Sequence, residues 1–214
     1  MRRTTCGMVA LLALWALPAM AESEKWTVSV QGGASVPSGD FRSEDKANAG
    51  TGWSIGGSAD YAVNASWALG IDGSMGKNTS GFEGTVTDEG GGVTSTLDQD
   101  RFNTWQVGGH ARYFFPTGSA TSVKWYGLAG AGLYGFGQDQ TKTFSTGVSS
   151  TTSASDKRAG MKLGLGGLWW ANPKVGVNGG VDYHIAFLDK DASTSSSLSY
   201  AGAYLGLTFS IPQE

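Results

Sequence analysis

Residues 53–75 read WSIGGSADYAVNASWALGIDGSM, and this stretch decides the fold. On both sides of Asn64-Ala65, apolar or small side chains alternate with polar or small ones. Because successive side chains of a strand point to opposite faces, each half is predicted to be a strand with one apolar face. Only two residues separate the halves, so the stretch predicts an antiparallel hairpin with a tight turn.

The same period of two recurs along the chain. It gives eight segments in all, and besides the two in the opening stretch five are regular: 26–31, 105–115, 161–169, 175–187 and 201–211. The eighth, 123–138, is less regular, because Trp125 and Leu133 share one face while Tyr126 and Tyr134 share the other. A bulge among its glycines would switch the facing partway, so the orientation of this strand stays open.

The connections alternate between long and short. The long ones are 37–50, 77–100, 138–156 and 189–197, and the short ones are 64–65, 116–122 and 172–174. Outer-membrane barrels have short periplasmic turns and longer outer loops, and in hydrocarbon a sheet must close to pair its edges. The sequence therefore predicts an all-β fold, an eight-stranded antiparallel up-and-down transmembrane β-barrel with both termini in the periplasm.

Aromatic residues gather at the strand ends beside the short turns, on the apolar face. They are Trp26, Tyr61, Trp67, Tyr113, Phe115, Trp125, Trp169 and Phe209. Tryptophan and tyrosine are enriched where a membrane meets water, so this set predicts a girdle on the periplasmic side. Near the opposite ends, a sparser second girdle is predicted from Phe102, Trp105, Phe187 and Tyr200. A soluble exported ligand-binding barrel would instead need a polar outer wall.

The first 21 residues are predicted to be a cleaved signal peptide, and residues 22–214 the barrel domain. Arg2 and Arg3 precede an apolar run, and Ala19-Met20-Ala21 forms a cleavage site of the A-x-A type. Export through the Sec route is expected. The only cysteine, Cys6, lies in this peptide, so the mature chain is expected to form no disulfide and no cysteine-ligated metal site.

The mature chain is acidic, because loss of Arg2 and Arg3 takes the formal net charge from −3 to about −5. Nucleic acid is therefore not expected as a partner, since binding to phosphates needs a clustered basic surface.

The faces opposite the apolar ones are predicted to line the lumen. Their charged and histidine residues are Asp60, Asp72, His110, Arg112, Lys124, Lys162, Asp182 and His184. Three acids meet three bases, and buried charges are costly unless paired, so a network that plugs the narrow lumen is favoured over an ion path. His184 shares a face with Asp182, but both histidines point away from lipid. No catalytic residue, metal site or cofactor is predicted.

The outer loops are rich in Gly, Ser, Thr and acidic residues, and their spacing matches no EF-hand calcium loop. Solvated loops are therefore predicted. Phe41, Phe82 and Phe144 are isolated apolar residues in these loops. They would either anchor a partner or pack on the barrel rim.

Two stretches of the sequence carry a family resemblance. Residues 30–41, VQGGASVPSGDF, and 56–61, GGSADY, resemble the first strands of the OmpA-type eight-stranded outer-membrane β-barrel family. The last strand, YLGLTFSI at 204–211, resembles the signal read by the barrel-assembly machinery, with Tyr204, Gly206, Phe209 and Ile211 at its positions.

The resemblance covers essentially all of the mature chain. It implies insertion among outer-membrane lipid and lipopolysaccharide, assembly by the barrel-assembly machinery, and outer loops that bind a surface ligand. It also implies roles such as adhesion, host-factor binding or envelope integrity, and it transfers no catalytic residue. The alternatives are a narrow porin-like channel for small solutes and, with less support, a lipid-modifying barrel enzyme.

Overall fold

The computed structural model describes residues 26–43, 48–80, 83–87, 94–116, 123–144, 149–187 and 198–211. The strands are β1 (Trp26–Gly39), β2 (Ala49–Ala62), β3 (Trp67–Ser80), β4 (Glu83–Thr87), β5 (Thr94–Phe114), β6 (Val123–Phe144), β7 (Ser149–Asn172), β8 (Val175–Ala186) and β9 (Leu198–Ile211). The predicted signal peptide lies outside the described residues. Among those residues, no helix has the length and apolarity needed to cross a membrane.

Eight of these strands close into a ring. Each strand pairs antiparallel with its neighbour in the chain, except that β3 pairs with β5, and β9 returns to pair with β1. The short β4 pairs with the first residues of β5, outside the ring. The predicted eight-stranded, antiparallel, up-and-down barrel is thereby confirmed. Trp26 and Ile211 pair where the ring closes, at the end of the barrel that carries the short turns.

The outward wall of the barrel is apolar over most of each strand. Large apolar side chains point outward and are exposed, with Ile71 and Leu205 each 67% exposed. Their neighbours in sequence alternate with them and point inward. Such a wall is unfavourable in water and suits hydrocarbon, where paired backbone and apolar side chains are both required.

The eight aromatic residues assigned to the girdle lie on the outward wall at the short-turn end. Neighbouring strands bring them into contact: the rings of Trp26 and Tyr61 are 5.1 Å apart, and those of Trp67 and Tyr113 are 4.9 Å apart. The sparser second girdle is wrong in two of its four members. Trp105 and Phe187 point outward, but Phe102 and Tyr200 are buried inside the barrel.

Three strands are much longer than the predicted loop boundaries imply. β5, β6 and β7 have 21, 22 and 24 residues, whereas the other barrel strands have 12 to 14. The strand extension, as we call it here, comprises β4, residues 94–101, residues 138–144 and residues 149–159. Most of these residues fall in the predicted loops 77–100 and 138–156, because a Ser/Thr-rich strand in water has no apolar face for the alternation to reveal.

Candidate functional site

The centre of the lumen is a histidine held between two aspartates. On β5, His110 places Nε2 2.6 Å from Oδ1 of Asp60 on β2, and Nδ1 2.8 Å from Oδ1 of Asp72 on β3. All three side chains are almost fully shielded from solvent. Three neighbouring strands are thus joined from inside the barrel.

Asp60 receives two further donors on its second oxygen. The Ser58 hydroxyl donates to Oδ2 at 2.9 Å, and Nη1 of Arg112 lies 3.5 Å from the same atom. The guanidinium also lies over the ring of Tyr126, 4.6 Å from its centroid. A cation over an aromatic face is attracted by the ring quadrupole, so Arg112 is held between a carboxylate and a ring.

Asp72 is partnered in a similar way. The side-chain amide of Gln106 donates to Oδ2, and the ammonium of Lys162 contacts the same oxygen. Lys162 comes from β7, which is not adjacent to β3, so this ion pair crosses the lumen. We call this cluster the lumen network; its members are Ser58, Asp60, Asp72, Gln106, His110, Arg112 and Lys162.

A second histidine lies beside the lumen network. Nε2 of His184 is 3.1 Å from Oδ2 of Asp182, and the hydroxyl of Tyr134 is 3.2 Å from Nδ1. The ring of Tyr200 stacks on the imidazole, with centroids 4.5 Å apart and planes 7° from parallel. Both nitrogens and one face of His184 are therefore occupied by structural partners.

Lys124 differs from the other seven residues predicted to line the lumen. It shares the inward-facing parity of Tyr126, but its side chain is exposed, and no ion pair among the described residues includes it. Lys124 is the second residue of β6. A side chain that faces inward so close to the strand end reaches solvent at the short-turn end of the barrel. The placement of Lys124 inside the network was wrong.

Residues 52–56, Gly-Trp-Ser-Ile-Gly, fit the G-x-S-x-G pattern. In hydrolases that pattern puts the serine on a sharp strand-to-helix turn. Here Ser54 lies within β2, paired with Gly33 and Gly76 on the flanking strands. His184 makes its contacts to Asp182 and Tyr134, so these contacts provide no serine–histidine pair for nucleophilic attack.

A bound metal ion also finds little support in the geometry. In the part of the chain that the structure describes, no three His, Cys, Asp or Glu side chains are arranged to hold one. Arg112, Lys162 and the ring nitrogens of His110 already contact the oxygens of Asp60 and Asp72 that a metal ion would need.

The end of the lumen beside the long loops is closed by a cluster of buried aromatic rings. Phe41, in the turn after β1, is 1% exposed and packs edge-to-face on Phe102 and Phe136, at 5.3 and 5.9 Å. We call the buried cluster the aromatic plug; it consists of Phe41, Ala49, Phe102, Tyr134, Phe136, Ala186 and Tyr200. Phe41 therefore packs inside the barrel mouth. Phe82 and the side chain of Phe144 lie outside the described residues.

The short-turn end is closed by different residues. Tyr126 and Leu168 are buried, and the hydroxyl of Tyr126 lies 3.0 Å from that of Tyr204. β6 pairs without interruption with β5 from 126 to 138 and with β7 from 123 to 143, so no bulge switches its facing. Trp125 accordingly points outward, while Tyr126 and Tyr134 point into the lumen.

Little free space remains between these two closures. A cavity of about 40 Å³ lies beside the lumen network, and Asp72, Lys162, Asp182 and His184 are among its lining residues. One buried water needs roughly 10–15 Å³ by the same kind of measure, so the cavity has room for a few waters. The lumen is a packed polar core with an aromatic layer toward each end.

The sequence and the fold are both similar to those of known proteins. The family described as outer membrane protein beta-barrel domain matches residues 7–207. Neisserial surface protein A is similar in structure, with a TM-score of 0.55 and 17% identity over 88% of this chain and 98% of that one. Outer membrane protein OprG from Pseudomonas aeruginosa is similar with a TM-score of 0.50 and 12% identity, over 86% and 95%. At these identities the structural likeness shows the fold. No curated protein sequence matches the chain.

Proposed function

The chain belongs to the outer membrane protein beta-barrel domain family, and we propose that it is a sealed barrel acting through the surface of its loop end. The outer membrane is the location that this family indicates. The finer proposal is an interaction role, in adhesion or envelope integrity, with no solute passing through the lumen.

The observation that supports an interaction role is the strand extension. A tilted strand crosses the hydrocarbon with about 9–11 residues. In β7, the eleven residues 149–159 lie beyond Gly160, the last residue paired with β8, and at ~3.3 Å per residue they add roughly 36 Å of strand. A sheet of this size beyond the membrane offers a partner a large surface.

The lumen supports this choice over a channel. A pore needs a continuous wet path, whereas the aromatic plug and the pair Tyr126–Leu168 pack the lumen on either side of the lumen network. The geometry also gives little support to a lipid-modifying enzyme, because His110 and His184 face inward and are fully engaged.

Orientation and partners follow from the same proposal. Trp26 and Ile211 pair at the short-turn end, which favours both termini in the periplasm after Sec export. The girdle and the apolar wall would contact outer-membrane lipid and lipopolysaccharide. Tyr204, Gly206, Phe209 and Ile211 remain the proposed signal for the barrel-assembly machinery in a Gram-negative cell, with Phe209 and Ile211 on the outward face of β9.

The interaction role is tested by trimming the extension. Gln138 and Ala154 are directly paired, so residues 139–153 can be replaced by an Asn-Gly turn without changing the register. We expect cells producing the trimmed barrel to attach to monolayers of cultured host cells no better than cells lacking the protein. Cells producing the full chain should attach several times more strongly.

A matched control replaces residues 117–121, at the opposite end of the barrel, with the same two-residue turn. This variant should attach as the full chain does. Both variants must show heat-modifiable migration on a gel, which reports a folded barrel. A folded, trimmed barrel that attaches as well as the full chain would rule out the extension as the interaction surface.

A further inference from the structure

The two ring nitrogens of His110 both face carboxylate oxygens. Nε2 lies 2.6 Å from Asp60 and Nδ1 lies 2.8 Å from Asp72. A neutral imidazole has one N–H donor and one lone pair, and an ionised carboxylate can only accept. Two ionised carboxylates around one imidazole therefore require that both nitrogens carry a hydrogen.

The remaining oxygens of the two aspartates favour ionised carboxylates. Oδ2 of Asp60 accepts from Ser58 and faces Arg112, and Oδ2 of Asp72 accepts from Gln106 and contacts Lys162. Hydrogen bonds and cations on a carboxylate stabilise its charged form. In each of the two hydrogen bonds between His110 and an aspartate, the proton is therefore more stable on the ring nitrogen than on the carboxylate.

We propose that the lumen is a proton-binding site, in which His110 is held as an imidazolium cation between Asp60 and Asp72. The proton is the third positive charge of the barrel core. This inference does not depend on what the loop end binds.

The charges of the core then balance. The cations are Arg112, Lys162 and His110, and the anions are Asp60, Asp72 and Asp182. Lys124 lies outside the network, so without the imidazolium the core would hold one uncompensated negative charge, which is costly in a buried site. With a neutral His184, this charge balance agrees with the protonation state of His110 that the hydrogen-bond count gives.

The ring nitrogens of His184 have different partners from those of His110. The Tyr134 hydroxyl beside Nδ1 can either donate or accept, and only Nε2 faces a carboxylate, that of Asp182. A neutral imidazole with its hydrogen on Nε2 is therefore compatible with both contacts of His184, whereas it is not compatible with those of His110. The two histidines of one lumen are predicted to hold different numbers of protons.

Glycines on the strands beside His110 leave space for its imidazole ring. A Cβ on Gly70 would lie 2.9 Å from Cε1 of His110, and a Cβ on Gly130 would lie 3.0 Å from Cβ of His110 and 2.9 Å from Cε of Lys162. The charged groups that contact the ring or its two aspartates are Asp60 on β2, Asp72 on β3, Arg112 on β5 and Lys162 on β7. On β6, the residue paired with His110 is Gly130.

The direct test is nitrogen NMR of the refolded full-length barrel, labelled with ¹⁵N-histidine, at pH 7.5. The chain contains only two histidines, so two rings give all the signals, and a His184→Asn variant assigns them. We expect two protonated nitrogens for His110, and one protonated and one unprotonated nitrogen for His184. An unprotonated nitrogen on His110 would overturn the proposal, whether the missing proton sits on an aspartate or is absent.

A second test separates charge from shape. His110→Gln keeps hydrogen-bonding capacity but removes the cation, and it should lower the urea concentration at mid-unfolding. Adding Asp60→Asn to that variant restores charge balance and should raise the midpoint again. If only the shape of His110 mattered, the double variant would unfold at a lower urea concentration than His110→Gln, and the proposal would fail.

Discussion

Replacing Asp72 with alanine is expected to lower the free energy of unfolding by about 3–5 kcal/mol, the cost of leaving a buried ion pair without one partner. Asp72 is the acceptor for His110, Gln106 and Lys162. Without it, Nδ1 of His110 and the ammonium of Lys162 lose their carboxylate partner inside the lumen. Urea unfolding in detergent micelles, followed by tryptophan fluorescence, measures the loss.

The control for this variant is Asp156→Ala. Asp156 also forms an ion pair, 2.7 Å from Arg158, but the aspartate is 47% exposed. Exposed pairs contribute about 0–1 kcal/mol, so this replacement should be nearly neutral. Equal effects of the two replacements would mean that the lumen network adds no more to stability than a surface pair does.

Phe41→Ala is expected to destabilise the barrel by about 3 kcal/mol, since deletion of a buried phenyl ring removes burial and leaves a cavity. Phe41 is 1% exposed and contacts two other rings, although it stands in a turn rather than a strand. The same urea titration measures the effect. The variant should stay closed to ions, because the lumen network and Tyr126 still fill the rest of the lumen.

Phe187→Ala is the matched control for Phe41→Ala. Phe187 follows β8 on the outward wall and is 47% exposed, so its removal opens no cavity. Phe41→Leu should retain most of the stability, because a leucine fills much of the same space. If Phe41→Ala and Phe187→Ala have the same midpoint, Phe41 does not act as a plug.

The barrel architecture could be predicted because both of the features that determine it are local in the sequence. Alternation of side chains marks each strand, and the contrast between Asn64-Ala65 and the long connections sets the meander. Closure then follows from the need to pair edge strands in hydrocarbon. The pairing of β1 with β9 therefore follows without any distance information.

The content of the lumen was predictable only in part. Charged side chains such as Asp60 and Asp72 identify an inward face wherever the opposite face is apolar. On β6 both faces carry aromatic residues, so alternation alone could not decide between Trp125 and Tyr126. The pairing register places Trp125 on the outward wall and Tyr126 in the lumen, and alternation alone does not predict the aromatic layers of the lumen.

The errors at the strand ends have a common physical cause. Lys124 has the inward-facing position of a lumen residue but lies at the end of the barrel. The alternation of side chains says which face a residue is on, and not how deep in the barrel it lies. Residues 138–144 and 149–159 pair as strands, yet they lie beyond the apolar wall and show no apolar face. Alternating hydrophobicity reports contact with lipid or core rather than the presence of a strand.

The most direct measurement is the conductance of the refolded barrel in planar lipid bilayers, with heat-modifiable migration on a gel as the folding control. A sealed lumen predicts a folded barrel with no single-channel steps, in the wild type and in Phe41→Ala. Stable steps whose size changes when Arg112 or Lys162 is replaced would contradict it, because ions would then be passing through the lumen network.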